Sequence, residues 1–298
     1  MLICGSFVAA LVTRSPVCGA VAAVVPRVAV SATPEPSASP AAGGNDTSDP
    51  CGGPGTLLET IDRPTVGFST CAVKKSTVVL EEGYENSSQG GSTASVTASF
   101  PNGFERVGVA ERFELDLSGP NVNRMRSGTS VTNGLSDIGL GFKYELPPRG
   151  RFTYAFDGLF TAATGSGGFG NGGPAQTLDG DVSYTLSPAI NIGTTLSASS
   201  TVGSTNGSAG SVTTARYGTF DPSLVVTVQV PNEYQFFAEV AGMTKTAPQA
   251  GGRSSTDFGV QKLVGRNVEL DLEYGIDFTP VNGSRRRSVG TGFGLLVD

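Results

Sequence analysis

The chain has 298 residues with 42 Gly, no His and a net charge of −6. That charge argues against a nucleic-acid partner. The missing His removes Ser-His-Asp and Cys-His catalysis and His-ligated metal sites together.

The first 32 residues read as an export signal. "SFVAALV" and "PVCGAVAAVV" are apolar, and "AVSA" at 29–32 has the small-residue pattern of a cleavage site. The next stretch, 33–55, is rich in Pro, Gly, Ser and Ala, the composition of a linker. Cys4 and Cys18 leave with the signal. Cys51 and Cys71 then remain as a pair, which an oxidising compartment closes into a disulfide. The segment 33–76 that holds them is neither clearly strand nor clearly helix. It is either a plug inside whatever 77–298 encloses or a tail outside it.

Beyond the signal, no apolar run approaches the roughly 20 residues of a membrane helix. From Thr77 onward, short segments alternate apolar and polar residues with period two, the pattern of strands. They are expected at 77–86, 92–100, 104–117, 135–146, 151–164, 177–187, 189–200, 215–230, 232–245, 255–264, 266–279 and 287–297. Their connections are alternately tight and long. "PNG" (101–103), "PPRG" (147–150), "SPA" (187–189), "PNE" (231–233) and "VGRN" (264–267) are tight. The segments 86–91, 118–134, 165–176, 200–214, 247–255 and 280–287 are long, with Pro, Asn, Asp and Gly supplying the turns.

About twelve strands, most of them long enough to cross a bilayer at a tilt, with short turns on one side and long loops on the other, predict an all-β fold. The expected architecture is a transmembrane antiparallel up-and-down β-barrel in the bacterial outer membrane. Closure removes the two long edges that an open sheet would expose.

The stretch "NVELDLEYGIDF" shows what such a barrel asks of each strand. Val268, Leu270, Leu272, Tyr274, Ile276 and Phe278 alternate with Asn267, Glu269, Asp271, Glu273, Gly275 and Asp277. Lipid covers the first set, and water in the lumen solvates the second. By the same alternation Asp137, Lys143, Glu145, Asp157, Asp179, Asp181, Glu239 and Asp257 line the lumen. Aromatic residues gather beside the tight turns: Phe100, Phe104, Tyr144, Phe152, Tyr154, Tyr184, Tyr234 and Phe236. With Phe220, Phe258 and Phe278 near the long loops, they form two interfacial girdles. Glu82 and Glu111 fall on the lipid face, where a carboxylate is unfavourable. Each marks either a bulge or a wrongly cut strand.

"GLSDIGLGFKYEL", "FFAEVAG", "STDFGVQKLVGRNVELDLEYGIDFTP" and "VGTGFGLLV" together resemble an outer-membrane transporter family labelled for the MetA pathway of phenol degradation. The resemblance covers about residues 75–298. It implies an outer-membrane barrel and a role in uptake of small, often hydrophobic compounds. The last strand also resembles a barrel-assembly signal, with Ser288, Gly290, Phe293 and Leu295 at matching positions. That implies the outer-membrane assembly machinery as a partner. The end of the chain departs from the signal, since Leu296, Val297 and Asp298 stand where an aromatic is common.

The expected function is passive uptake of small solutes, hydrophobic and aromatic ones among them, through an acidic lumen. The alternative is a structural or adhesive barrel acting through its loops. Those loops are rich in Gly, Ser and Asn, which is weak material for a protein-binding surface. No enzyme, cofactor or metal site is expected. Acidic pairs such as Asp179 with Asp181 read as lumen wall, and "GSGGFGNGG" lacks the Lys-Ser/Thr of a phosphate loop.

Overall fold

The computed structural model describes residues 51, 56–91, 94–206, 212–279 and 285–297. The expected signal (1–32), nearly all of the linker, and residues 207–211 and 280–284 of two long loops lie outside the described residues.

The first strands are β1 (Val78–Gln89), β2 (Ser95–Phe100), β3 (Phe104–Ala110), β4 (Phe113–Ser118), β5 (Val122–Ser127), β6 (Ser130–Leu135) and β7 (Ile138–Arg149). Then come β8 (Phe152–Ala162), β9 (Ala175–Ser187), β10 (Ile190–Asn206) and β11 (Val212–Val230). The last are β12 (Tyr234–Met243), β13 (Arg253–Val264), β14 (Val268–Asp277) and β15 (Arg286–Val297). Neighbours pair antiparallel throughout. β15 returns to β1, in register from Val78 opposite Val297 to Gln89 opposite Arg286, and closes the sheet.

Three staves of this barrel are each built from two strands end to end. β3 pairs with β1 at Val78–Glu81 and β2 pairs with the same strand at Glu85–Gln89. β4 with β5, and β6 with β7, follow the same plan, which makes a closed antiparallel barrel of twelve staves.

The number of staves agrees with the sequence pattern, but two boundaries differ early in the chain, and later most of the expected loop at 200–214 is strand, because β10 runs to Asn206 and β11 begins at Val212. "PNG" at 101–103 is not a hairpin turn. It interrupts one stave, because Pro101 has no N–H for the ladder and Gly103 runs so close to β1 that a Cβ there would lie 1.5 Å from the Glu81 carbonyl oxygen. The true hairpin turn is Glu111–Arg112, with Arg112 at φ 62. Glu111 therefore lies in a turn, not on the lipid face. The turn was invisible because Val107, Val109, Phe113, Leu115 and Leu117 keep one parity across it. An irregularity between Gly108 and Ala110 makes this happen, leaving inward Gly108 opposite inward Glu114. The second difference follows from the first. Most of the expected loop at 118–134 is strand, β5 and β6, closed by a tight turn at Gly128–Thr129.

The outward face carries Leu140, Phe156, Phe160, Leu178, Leu224, Phe236, Leu270 and Leu272, each exposed and alternating with buried polar residues. A soluble protein would bury these side chains; here the bilayer does. On the turn side, rings of Phe152 and Tyr184 (centroids 4.8 Å apart) and Tyr234, with the Lys262 ammonium 4.6 Å from its centroid, belong to the interfacial belt. Phe104 does not. It points inward and meets Phe68 edge to face at 6.2 Å. Glu82 stays on the outward face with no shift of register.

Inside the barrel the described residues of the N-terminal segment fill space. Cys51 is joined to Cys71 by a disulfide, with Cα atoms 5.3 Å apart. A short helix, α1 (Thr56–Thr60), puts Leu57 and Leu58 against Val73, Val79 and Leu263, with Leu296 beside them. This small apolar core sits at the turn end. The chain then crosses the interior, returns at Val73, and enters β1 through a bridge between Lys75 and Gly108.

Candidate functional site

The site is the barrel interior, and the segment 59–73 is held there by side chains of the wall. Its backbone N–H groups have no sheet to join, so each must find an acceptor. Carboxylates supply most of them. Glu81 accepts from Asp62 N (2.9 Å) and Arg63 N (2.8 Å). Glu239 accepts from Val66 N (2.7 Å) and Gly67 N (2.8 Å). Glu145 accepts from Ala72 N (3.1 Å), and Glu114 accepts from Val73 N. Phe68 N donates to Thr195 Oγ1 (2.9 Å), whose hydroxyl donates to Asp181 (2.5 Å).

Two buried cations lock this arrangement. The Arg106 guanidinium lies 2.7 Å from Glu81, 2.7 Å from Glu114 and 3.1 Å from Asp62, and donates to Thr60 O at 2.7 Å. Lys143 reaches both oxygens of Asp62 at 2.9 Å, and Asp157 at 3.6 Å. Asp62 is thus shared by Arg106 from β3 and Lys143 from β7, and also accepts from Ser69 N at 2.7 Å. A third cation comes from the segment itself. Arg63 donates to Asn102 O at 2.5 Å and lies 3.4 Å from Asp271, and its carbonyl accepts from Gln261. Burial raises the Glu59 carboxyl above its ordinary range, against the opposing hydrogen bond from Gln229 at 2.6 Å.

The structure brings Lys143, Glu145, Asp157, Asp181, Glu239 and Asp271 together around the segment. Asp179, Asp257 and Glu269 are buried on the same inner wall, and Asp257 lies opposite Glu239 in the ladder. Glu269 is 0 % and Asp271 4 % exposed, so the acidic face of β14 meets protein where an open aqueous wall was expected. Glu273 is only partly covered. Asp277 lies toward the loop end, 3.9 Å from Arg253. Asp137 has a different task. Its two oxygens accept from Gly165 N (2.6 Å) and Asn171 N (2.7 Å), which ties the loop after β8 to the stave before it.

Sequence reasoning missed Asp62, Arg63 and Glu81's double role. The one available signal was the adjacent Asp62–Arg63 in a stretch otherwise poor in charge.

Three cavities surround the segment. A loop-end cavity of about 280 Å³ has Arg63, Thr65 and Phe68 in its floor, and Glu85, Asp257, Glu273 and Arg286 in its wall. The same three residues form the roof of a turn-end cavity of about 230 Å³ bounded by Ser187, Gln229 and Gln235. A third cavity, about 300 Å³, sets Phe68, Phe104, Leu159 and Met243 against Asp116, Asp157 and Asp179.

A closed twelve-stave barrel with an apolar exterior and a polar, carboxylate-rich interior is a bacterial outer-membrane barrel. The chain belongs to the family described as "Putative MetA-pathway of phenol degradation", which matches residues 62–294. Its fold is similar to that of an outer membrane channel from Pseudomonas putida F1, with TM-score 0.56 and 13 % identity over 76 % of this chain and 97 % of that one. It is also similar to the NanC porin, with TM-score 0.50 and 12 % identity over 72 % and 98 %. No curated protein matches the sequence.

Proposed function

We propose that this protein is a channel for passive entry of small solutes, single-ring hydrophobic ones among them, and that residues 56–73 act as a plug in its acidic lumen. One observation carries the reading: Arg63, Thr65 and Phe68 are at once the floor of a loop-end cavity and the roof of a turn-end cavity. The two cavities are halves of one path, and the segment is what divides them. The third cavity supports aromatic solutes among them, since Phe68, Phe104 and Met243 give it ring and thioether surface beside the carboxylates of Asp116, Asp157 and Asp179. The structural or adhesive alternative gains no comparable observation.

The test is conductance of the purified protein in planar bilayers with phenol-sized solutes added on the loop side. Such solutes should reduce ion current in a saturable way, and glucose at the same concentration should not. Current insensitive to every aromatic solute tried would remove that substrate class.

Charge preference is a second expectation. Carboxylates outnumber cations on the inner wall, and rings of carboxylates favour cations. Replacing Asp257 and Glu273, which line the loop-end cavity, with Asn and Gln should weaken a cation preference read as reversal potential across a salt gradient. Anion selectivity in the unmodified protein would contradict this.

The turn asymmetry supports an orientation with the long loops outside the cell and both chain ends in the periplasm. A cysteine at Asn171 should therefore react in intact cells with an impermeant maleimide, and one at Pro231 should not. The reverse labelling would invert the topology.

A further inference from the structure

The outer wall carries one charged patch that the channel reading does not use. Arg124 and Arg126 on β5, and Arg285 and Arg287 at the start of β15, are all exposed. Alternation fixes their direction. Asn123 is buried on the inner side of β5, and Arg286 turns inward to pair with Glu85, so Arg126 and Arg287 point out toward lipid. The ladder aligns them. Arg287 is opposite Ser88, Ser88 opposite Val96, and Val96 opposite Arg126. The two guanidiniums therefore flank a trough floored by Ser88 and Val96, three strand spacings or about 14 Å wide at the backbone. With Arg285 and Gly90 at its rim, the trough encloses about 630 Å³. Arg124 sits one row nearer the membrane, opposite Ala98.

Among the described residues none of the four makes an ion pair, and the adjoining stretches 90–94, 128–129 and 278–284 contain no Asp or Glu. Solvated rim arginines are common, but these are concentrated within four neighbouring staves. The other outward arginine toward the loop end, Arg216, is instead satisfied by Ser200 and by Pro174 O. Directly below the patch the wall is apolar: Phe100 (55 %), Val122 (56 %) and Val289 (50 %) are exposed. Four cations above an apolar face, around a groove with small side chains, match an amphiphile with anionic groups at its head and acyl chains beneath. Arginine is the side chain best suited to phosphate, by its forked donors.

We infer that this patch is a binding site for a phosphorylated glycolipid of the outer leaflet. Its phosphates would lie between Arg126 and Arg287, with Arg124 and Arg285 in support, and its acyl chains along Phe100, Val122 and Val289. The inference rests on the loop end facing outward, which the maleimide labelling checks separately. It is independent of what passes through the lumen.

The experiment is native mass spectrometry of the delipidated protein with diphosphorylated lipid A, compared with the fully dephosphorylated lipid. The unmodified protein should retain the diphosphorylated form and not the other. The triple variant Arg124→Gln, Arg126→Gln, Arg287→Gln should lose affinity by about tenfold or more, since each charge-assisted contact is worth about that factor. Arg216→Gln should bind as the unmodified protein does, and millimolar inorganic phosphate should not displace the lipid. Undiminished binding by the triple variant, equal binding of the dephosphorylated lipid, or full displacement by inorganic phosphate would each overturn the assignment. Folding is checked by heat-modifiable gel migration. If the triple variant does not fold, Arg126→Gln and Arg287→Gln singly carry the same test, each expected to weaken binding.

Discussion

Deleting residues 33–72 should raise single-channel conductance by roughly threefold or more, because a twelve-strand lumen is narrow and its interior is occupied by this one segment. The size of the effect follows from geometry. Arg63, Thr65 and Phe68 line both cavities, and the wall residues that hold the segment do so through side chains, not as ladder partners. Removing the segment leaves the sheet pairings from β1 to β15 untouched. Equal conductance before and after deletion would mean that the segment obstructs nothing.

The second large effect is expected at Arg106. It is 1 % exposed and touches Asp62, Glu81 and Glu114 at once. Replacing it with Met leaves three buried carboxylates facing one another, and breaking a buried ion pair from one side costs about 3–5 kcal/mol. Asp62 keeps Lys143, so the loss falls on Glu81 and Glu114, the carboxylates that accept from the segment's backbone at Asp62, Arg63 and Val73, and Arg106→Met should loosen the plug before it opens the barrel. Limited proteolysis should cut within 56–73 at least several times faster than in the unmodified protein, while the heat-modifiable barrel band persists. Adding Glu114→Gln should restore part of the protection. Unchanged proteolysis would show that the Arg106 cluster does not hold the segment.

Much of the barrel was legible because period two survives in strands such as β14, where Glu269, Asp271 and Glu273 alternate with Leu270 and Leu272. Two features hid from that pattern. The Glu111–Arg112 turn keeps the parity of its flanking strands, so alternation runs through it unbroken. The stave interruption at Pro101–Gly103 looks like a hairpin turn because it uses the same residue types. The N-terminal segment was illegible for a different reason. It has no periodicity, and its order comes from backbone N–H groups bonded to carboxylates on distant strands, from Glu81, 18 residues from Arg63, to Glu239, 173 residues from Val66. Those carboxylates could be placed on the inner wall from sequence, but what they face there could not.

The central claim is that solutes pass only when the segment leaves its seat. A reversible tether tests it most directly. A Cβ on Gly67 would lie 2.4 Å from Ser223 Oγ, so Gly67→Cys with Ser223→Cys places two thiols within reach of a disulfide. Oxidised, the double variant should show lower conductance and no entry of aromatic solutes. Reductant should restore both, while the same reductant on the unmodified protein controls for the Cys51–Cys71 bond. Solute entry that is the same with the tether closed and open would contradict the account.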